Sequence, residues 1–337
     1  MNDLTPLQRT PFQFGRAIFM PFRHGPGSGA FVFKSAVFYA VVVTMLFALF
    51  GKMLIGPGKE YFEAIIEMEK MTDDAEAMKH MGKLMGAMGR FMLYYLLIIL
   101  GGWAVWATIE AALHRRVLRD ERRDGLFPWR FGVDELLVML SHLVLYMCYM
   151  GLYMVSYFVI IIGVLIAVLL GSQSAVLGVI GGIIAFALIV ASLGLMFWVL
   201  IRLAPTSALS VANKEFAIGE AWAASKGRFW PIFGAYAFHY IIGMFVFYSL
   251  MFIVGFAFVG SMMGEFSSLG SDASGEEVWA QMQTVFSKRG TQVGLVISGF
   301  LTAMFAAIWL QLIAGINTYV VELYKKDKAA ADVELFE

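Results

Sequence analysis

The chain has 337 residues, no formal net charge, 60% hydrophobic and 15% charged side chains, and a mean hydropathy of +0.75. Soluble domains carry about 25% charged residues, so this composition excludes an ordinary soluble protein. The zero net charge also argues against nucleic acid as a partner. The sequence therefore predicts an all-α integral membrane protein.

Six apolar runs approach or exceed the roughly 20 residues that cross about 30 Å of hydrocarbon. They cover residues 31–55, 91–113, 136–170, 176–201, 232–262 and 293–321. The third run is long enough for one tilted helix or for two helices with a tight turn. We favour one helix, because only Gly151 and Gly163 interrupt the run. About six transmembrane helices are expected, arranged as three hairpins.

A short aromatic segment precedes each hairpin, so the chain contains a threefold repeat. The segments begin at Phe12, Trp129 and Phe216, and each has an aromatic residue, any residue, Phe or Ile, and then Gly. We interpret them as cytoplasmic interfacial elements, each of which introduces one hairpin.

The expected organisation follows from these runs and from the positive-inside rule. Most of the 25 lysine and arginine residues lie on the side that holds both termini, which predicts cytoplasmic termini in a bacterial inner membrane. The segments are a cytoplasmic amphipathic N-terminal segment (1–30), a first hairpin (31–113) with an extracytoplasmic helix (60–92), a basic cytoplasmic connection (114–135), a second hairpin (136–201), a cytoplasmic interfacial segment (202–231), a third hairpin (232–321) and a cytoplasmic tail (322–337).

Methionines recur between the first two spans at positions 68, 71, 78, 81, 85, 88 and 92. Spacings of three, four and seven place them on one face of a helix. Because methionine is an adaptable packing residue, we interpret Met71, Met78, Met81 and Met85 as candidates for docking a partner. The alternative is Cu(I) capture by thioether sulfurs beside His80. No cofactor and no metal are predicted.

Five arginines lie within nine residues after the second span. They are Arg115, Arg116, Arg119, Arg122 and Arg123. Basic side chains near an anionic bilayer surface contribute roughly 1 kcal/mol each, so these arginines are candidates for binding lipid headgroups. The alternative is ordinary positive-inside topology, with the interleaved acids weakening the field.

Four polar residues stand out inside the apolar runs: His142, His239, Gln311 and Asn317. Ionisable groups at membrane depth are costly and tend to mark function. If the two histidines met, with Glu110 nearby, they would form half of a metal or proton site. No HxxxH or HExxH spacing supports a metal, so hydrogen bonding between helices is the favoured interpretation, and no catalytic residue is predicted.

The stretch 202–234 is the most distinctive one. Pro205 is expected to kink or end the fourth helix. Residues 219–226 suit a short interfacial helix with Ala221 and Trp222 toward lipid. Gly227 can stop that helix, and Pro231 suits the first turn of the fifth span.

This stretch also carries a resemblance to a known family. A small apolar segment with proline, then Glu220-Ala221-Trp222, the run from Ser225 to Trp230 and a new span resemble the membrane domain ahead of the catalytic barrel in some bacterial glycerophosphoryl diester phosphodiesterases, and its free-standing relatives of unknown function. In the fused members the active residues belong to the soluble barrel, for which this chain has no region long enough. The resemblance therefore implies a multi-pass membrane domain without phosphodiesterase activity, and Trp222 and Trp230 become candidates for docking a partner.

These features predict a non-enzymatic inner-membrane protein, a scaffold or accessory subunit that engages membrane lipids, another membrane protein or a second copy of itself. The alternative is a transporter or permease component for a lipid-like or apolar substrate, since glycine-rich spans and repeat symmetry are features of transporters. A third hypothesis, a lipid-modifying enzyme, needs clustered acids and bases, a description that only Glu110, His114 and Arg115 approach.

Overall fold

The computed structural model describes residues 9–69, 74–122, 130–266, 277, 280–281, 284–285 and 287–334. These residues form helices joined by short turns, and no strand occurs among them. The helices are α1 (Phe14–Ile18), α2 (Met20–Arg23), α3 (Ser28–Glu69), α4 (Asp74–Leu118), α5 (Val133–Gly171), α6 (Ala175–Leu203), α7 (Thr206–Asn213), α8 (Ile218–Ala224), α9 (Phe229–Phe266) and α10 (Arg289–Glu334).

Six stretches of the described helices are long and apolar enough to cross a membrane. They are Ser28–Gly51, His80–Leu118, Val133–Gly171, Ala175–Asn213, Phe229–Leu250 and Arg289–Val333. The predicted all-α fold is therefore confirmed for the described residues, and six helices of the length and composition that a membrane span needs are compatible with a multi-pass membrane protein. The long third run forms the single helix α5, as favoured from the sequence.

The predicted single helix 60–92 is not found. Residues 60–69 end α3 and residues 74–92 begin α4, while residues 70–73 lie outside the described part of the chain. His80 Nε2 and Glu67 Oε2 are 2.9 Å apart, so the two helices lie side by side here. The sequence suggested one helix because no proline interrupts the path into the second span.

Short helices lie before the first and third hairpins, as the repeat predicted. Helix α8 closely matches the predicted helix 219–226, and Gly227 ends it with φ +75°, a conformation that glycine adopts without steric cost. Ala221 was expected to face lipid, and this is wrong, because Ala221 is fully buried. Residues 127–129, which include Trp129 at the start of the second aromatic segment, lie outside the described residues.

The chain divides into two compact units, and α4, α9 and α10 contribute to both. The first unit comprises Met1–Pro26, Ala107–His239 and Gln311–Glu337. One of its cores lies around α7 and α8 and contains Ile201, Ala208, Leu209, Ala217, Ala221, Ala224, Ile232, Val320 and Val321. The two short helices are thus part of the packed interior of this unit.

Helices α5 and α6 of the first unit approach closely at glycines. A Cβ atom added to Gly181 would lie 2.8 Å from the Cα of Ala167, and one added to Gly178 would lie 3.0 Å from the Cα of Gly171. Small residues allow helices in membranes to pack backbone against backbone. The adjacent Gly182 has nothing within 4 Å of its Cβ position, so it is not part of this contact.

The second unit comprises Gly27–Trp106 and Tyr240–Leu310. In it α3 contacts α4, and a Cβ atom on Gly101 would lie 3.0 Å from Leu46 Cδ1. An ion pair between Arg90 and Glu60 joins the same two helices. The ring of Trp309 occupies the space where Gly243 would carry a side chain.

Candidate functional site

The polar residues that lie deepest in the first unit meet at Glu110. Its Oε1 accepts a hydrogen bond from Ser207 Oγ at 2.6 Å and lies 3.2 Å from His114 Nε2. Its Oε2 lies 3.0 Å from His142 Nε2. The other ring nitrogen of His114, Nδ1, lies 2.9 Å from Thr318 Oγ1. We call these five residues the Glu110 cluster.

Four helices supply the Glu110 cluster. Glu110 and His114 are one turn apart on α4, so they share a face, and His142 is on α5. Ser207 comes from the first turn of α7, which begins directly after Pro205. Thr318 belongs to α10. The cluster therefore joins parts of the chain that are more than 200 residues apart, as in the contact of His114 with Thr318.

The His114 ring has a polar neighbour on each side. The Thr318 hydroxyl, which donates to the Ala314 carbonyl at 2.8 Å, lies 2.9 Å from His114 Nδ1. His114 Nε2 faces the Glu110 carboxyl group at 3.2 Å. The imidazole of His114 therefore links Glu110 on α4 to Thr318 on α10.

This geometry differs from that of a serine hydrolase. In such enzymes the histidine lies between the serine and the carboxylate, using one ring nitrogen for each. Here the Ser207 hydroxyl donates directly to Glu110, and its distance to His114 Nε2 is 3.4 Å. Among the described residues, no group of three or more His, Cys, Asp and Glu is arranged to hold a metal ion. The arrangement can fasten helices together.

The members of the cluster differ in exposure. The side chains of His114 and Glu110 are 0% and 3% exposed, whereas that of His142 is 27% exposed. His142 is therefore the most accessible of these three. The sequence suggested a meeting of His142 with His239, with Glu110 nearby; the structure brings His142 to Glu110 but places His239 elsewhere.

The structure does not place His239 in the Glu110 cluster, although the residue is buried. Gln311 is fully buried on α10, and the Asn317 side-chain oxygen accepts a hydrogen bond from the Tyr236 hydroxyl. Sequence reasoning missed Ser207 and Thr318. The spacing of Glu110 and His114 signalled a pair, but nothing near Ser207 or Thr318 in the sequence indicated that either would meet it.

Two of the predicted headgroup arginines form ion pairs in a second polar cluster. Arg115 Nη1 donates to Glu135 Oε1 at 2.6 Å and to Asp134 Oδ2 at 3.1 Å. Arg119 Nη1 lies 3.0 Å from Asp134 Oδ1. Burial acts to lower the pKa of Arg119, but hydrogen bonds to Asp134 and Glu121 outweigh it and hold the pKa above its usual value. Both guanidinium groups are neutralised within the chain.

The other predicted headgroup arginines differ from one another. Arg116 is buried and donates to the Pro26 carbonyl at 2.8 Å. Arg122 is 35% exposed and pairs with Asp120 at 3.0 Å. Arg123 lies outside the described residues. Headgroup binding by these arginines stays a prediction, and Arg122 is the most accessible of the four that are described.

The predicted docking residues are exposed. On α4, Met78 is 81% exposed, and Met81 and Met85 are exposed as well; Met71 lies outside the described residues. Trp230 is 74% exposed and packs edge-on against Phe229 and Phe233. Trp222 is partly exposed.

No known protein family, no curated protein and no solved structure matches the chain. The resemblance to the membrane domain of glycerophosphoryl diester phosphodiesterases therefore stays a prediction.

Proposed function

We propose that this chain is a non-enzymatic scaffold or accessory subunit of the bacterial inner membrane, with both termini cytoplasmic, that engages lipids and another membrane protein. The observation that carries the proposal is the position of the exposed methionines on α4. Met78, Met81 and Met85 are exposed on the same stretch of helix as Lys83 and Arg90. Charged side chains avoid the hydrocarbon layer, so these methionines lie at the level of headgroups or water.

Apolar side chains exposed at such a level mark interaction sites. The opposite side of this stretch is engaged within the chain, since His80 contacts Glu67 and Arg90 pairs with Glu60 of α3. One side of the helix is therefore used inside the second unit, and the methionine side is left for a partner. Flexible thioether side chains suit such docking.

The polar groups of the first unit support the same proposal. The Glu110 cluster and the pairs of Arg115 and Arg228 with carboxylates are buried, which suits a rigid platform. The resemblance to a membrane domain that accompanies a catalytic barrel in other proteins fits an accessory role, with the catalytic partner on a separate chain.

The test is extraction of the full chain from its membrane into native-lipid discs, followed by mass spectrometry of everything that co-purifies. We expect a stoichiometric membrane protein or a selectively enriched lipid. The double variant M78Q/M85Q should lose a protein partner that M78L/M85L, the matched apolar control, retains. Recovery of the chain alone in lipid of bulk composition would overturn the proposal.

One observation favours a second candidate, a transporter or permease component for a lipid-like substrate. Glu110, His114 and His142 are ionisable groups within candidate spans, and such groups often line the paths of ions or substrates. Liposomes containing the chain should then move a fluorescent lipid analogue between leaflets, and E110Q should abolish this while H239A does not. Sealed vesicles in which the probe stays in one leaflet would reject this candidate.

A further inference from the structure

Two arginines that are far apart in the sequence lie together in the first unit. Arg9 Nη1 donates to the carbonyl of Lys226 at 2.9 Å, and its guanidinium group lies over Gly227. Arg202, at the end of α6, contacts the Trp222 carbonyl of α8 through Nη1, and its own carbonyl accepts from Ser225 Oγ. Both arginines therefore contact α8 or the turn that follows it, at residues 222–227.

Neither arginine pairs with a carboxylate among the described residues. This sets them apart from other arginines of the same unit, which do: Arg16, Arg115, Arg119, Arg122, Arg130 and Arg228. Like charges near one another repel, so an anion that binds between them removes this repulsion.

Most hydrogen-bond donors of Arg202 are unused. Its Nη1 makes one long contact, 3.5 Å, to the Trp222 carbonyl, and its buried Nε has no partner in the described residues, so the outer nitrogens of the guanidinium group are the donors that an anion can reach. A guanidinium group carries five N–H donors in a planar fork that matches the oxygens of a phosphate. The contacts of both arginines lie at the exposed surface of the protein.

Two tryptophans flank Arg202. Its Cζ lies 5.6 Å from the ring centre of Trp198 and 5.5 Å from that of Trp222, and the two rings meet edge-on at 5.0 Å. Ser225 Oγ donates to the Arg202 carbonyl at 3.0 Å, which fixes the end of α8 against α6. Tryptophans prefer the headgroup level of a bilayer, so the arginine is held at that level.

We propose that Arg9 and Arg202 form a binding site for a phosphate group, supplied by the headgroup of an anionic phospholipid, with Trp198 and Trp222 beside its upper acyl chains. The proposal rests on the lipid engagement of the proposed function. This proposal assigns headgroup binding to Arg9 and Arg202, which are far apart in the sequence. The arginines after the second span were the earlier candidates, and two of them are neutralised within the chain.

The test is native mass spectrometry of the purified full chain in detergent, titrated with phosphatidylglycerol and with phosphatidylcholine of the same acyl chains. The variant R9Q/R202Q should bind phosphatidylglycerol about 30-fold more weakly, since basic side chains near anionic lipid contribute roughly 1 kcal/mol each and 1.4 kcal/mol is tenfold. The matched control R16Q/R130Q loses the same charge from two carboxylate-paired arginines and should bind as the wild type does. R202K keeps the charge without the planar fork and should bind with intermediate affinity, which gives a reading if the double variant does not fold.

Inorganic phosphate distinguishes the two sources of the anion. If the site takes a lipid headgroup, millimolar phosphate leaves phosphatidylglycerol bound; displacement by phosphate alone would assign the site to the free anion and overturn the lipid proposal. Equal binding of the two lipids, or wild-type affinity in both R9Q/R202Q and R202K, would also overturn it. If native-lipid discs hold an enriched lipid that R9Q/R202Q still retains, this site fails while the proposed function stands. If phosphatidylglycerol binding needs Arg9 and Arg202 but the discs yield neither partner nor enriched lipid, this site stands and the proposed function fails.

Discussion

Replacing Glu110 with alanine should destabilise the protein strongly. The carboxyl group has three interhelical or same-face contacts, at 2.6 Å to Ser207, 3.0 Å to His142 and 3.2 Å to His114. Measured side-chain hydrogen bonds between helices in membranes contribute about 0.6 to 1.7 kcal/mol each. Three such contacts predict a loss of about 2 to 5 kcal/mol in the free energy of unfolding for Glu110→Ala.

The isosteric change Glu110→Gln separates charge from shape. A glutamine keeps one carbonyl oxygen for the Ser207 hydroxyl but presents no negative charge to His114 and His142, so two of the three contacts weaken. We expect a loss of about 1 to 3 kcal/mol, intermediate between the wild type and Glu110→Ala.

The assay is reversible unfolding of the purified chain by SDS in mixed micelles, followed by tryptophan fluorescence. Glu121→Gln is the control, because its carboxylate also contacts two arginines but is 42% exposed, and exposed ion pairs contribute at most about 1 kcal/mol. If Glu110→Ala and this control have the same free energy of unfolding within error, the Glu110 cluster does not fasten the helices of the first unit.

Three further changes follow from the packing and the charges. Gly181→Ala should lower the free energy of unfolding by about 1 to 3 kcal/mol because its Cβ meets the facing backbone at 2.8 Å, whereas Gly182→Ala, which meets nothing, should not lower it; equal effects would contradict the backbone contact. Asp327→Ala leaves Arg228 buried without its partner at 2.5 Å and should lower the free energy of unfolding by about 3 to 5 kcal/mol. Trypsin should then cleave the N-terminal segment faster, and unchanged cleavage would contradict the role of the pair. Burial lowers the pKa of His24, although Glu322 acts to raise it, so the unfolded chain binds the proton more tightly than the folded one. The free energy of unfolding should therefore fall as the pH drops below about 6.5. His24→Gln should flatten that part of the plot of stability against pH, and an unchanged plot would exclude the effect.

The sequence predicted the spans because membrane solvation acts on long stretches of the chain. Any run of some 20 apolar residues forms a helix in hydrocarbon whatever its neighbours are, so α5 and the end of α6 before Pro205 could be read locally. Which face of α8 is buried could not be predicted in this way. Ala221 is apolar and small, and whether it meets lipid or protein depends on where α7 and α10 pack.

The polar sites required knowledge of distant contacts. Five clustered arginines predict a basic patch in any sequence, but the carboxylates that neutralise Arg115 come from the start of the next helix. Conversely, Arg9 and Arg202 look unremarkable because 192 residues separate them. A periodic pattern shows which residues share a face of one helix, and it contains no information about which faces meet.

The bond between Thr10 and Asp327 sets an order of events during synthesis. The Thr10 amide donates to the Asp327 carboxylate at 2.9 Å across 317 residues of chain, and Arg228 contacts both residues. At 5–20 residues per second, a ribosome needs roughly 15 to 60 s to make the intervening chain. Until then α1 and α2 lack their contacts with α10, such as the pair of Arg16 with Glu322 and the packing of Pro21 on Gly315, so a chain broken off before α10 leaves this face of the N-terminal helices uncovered.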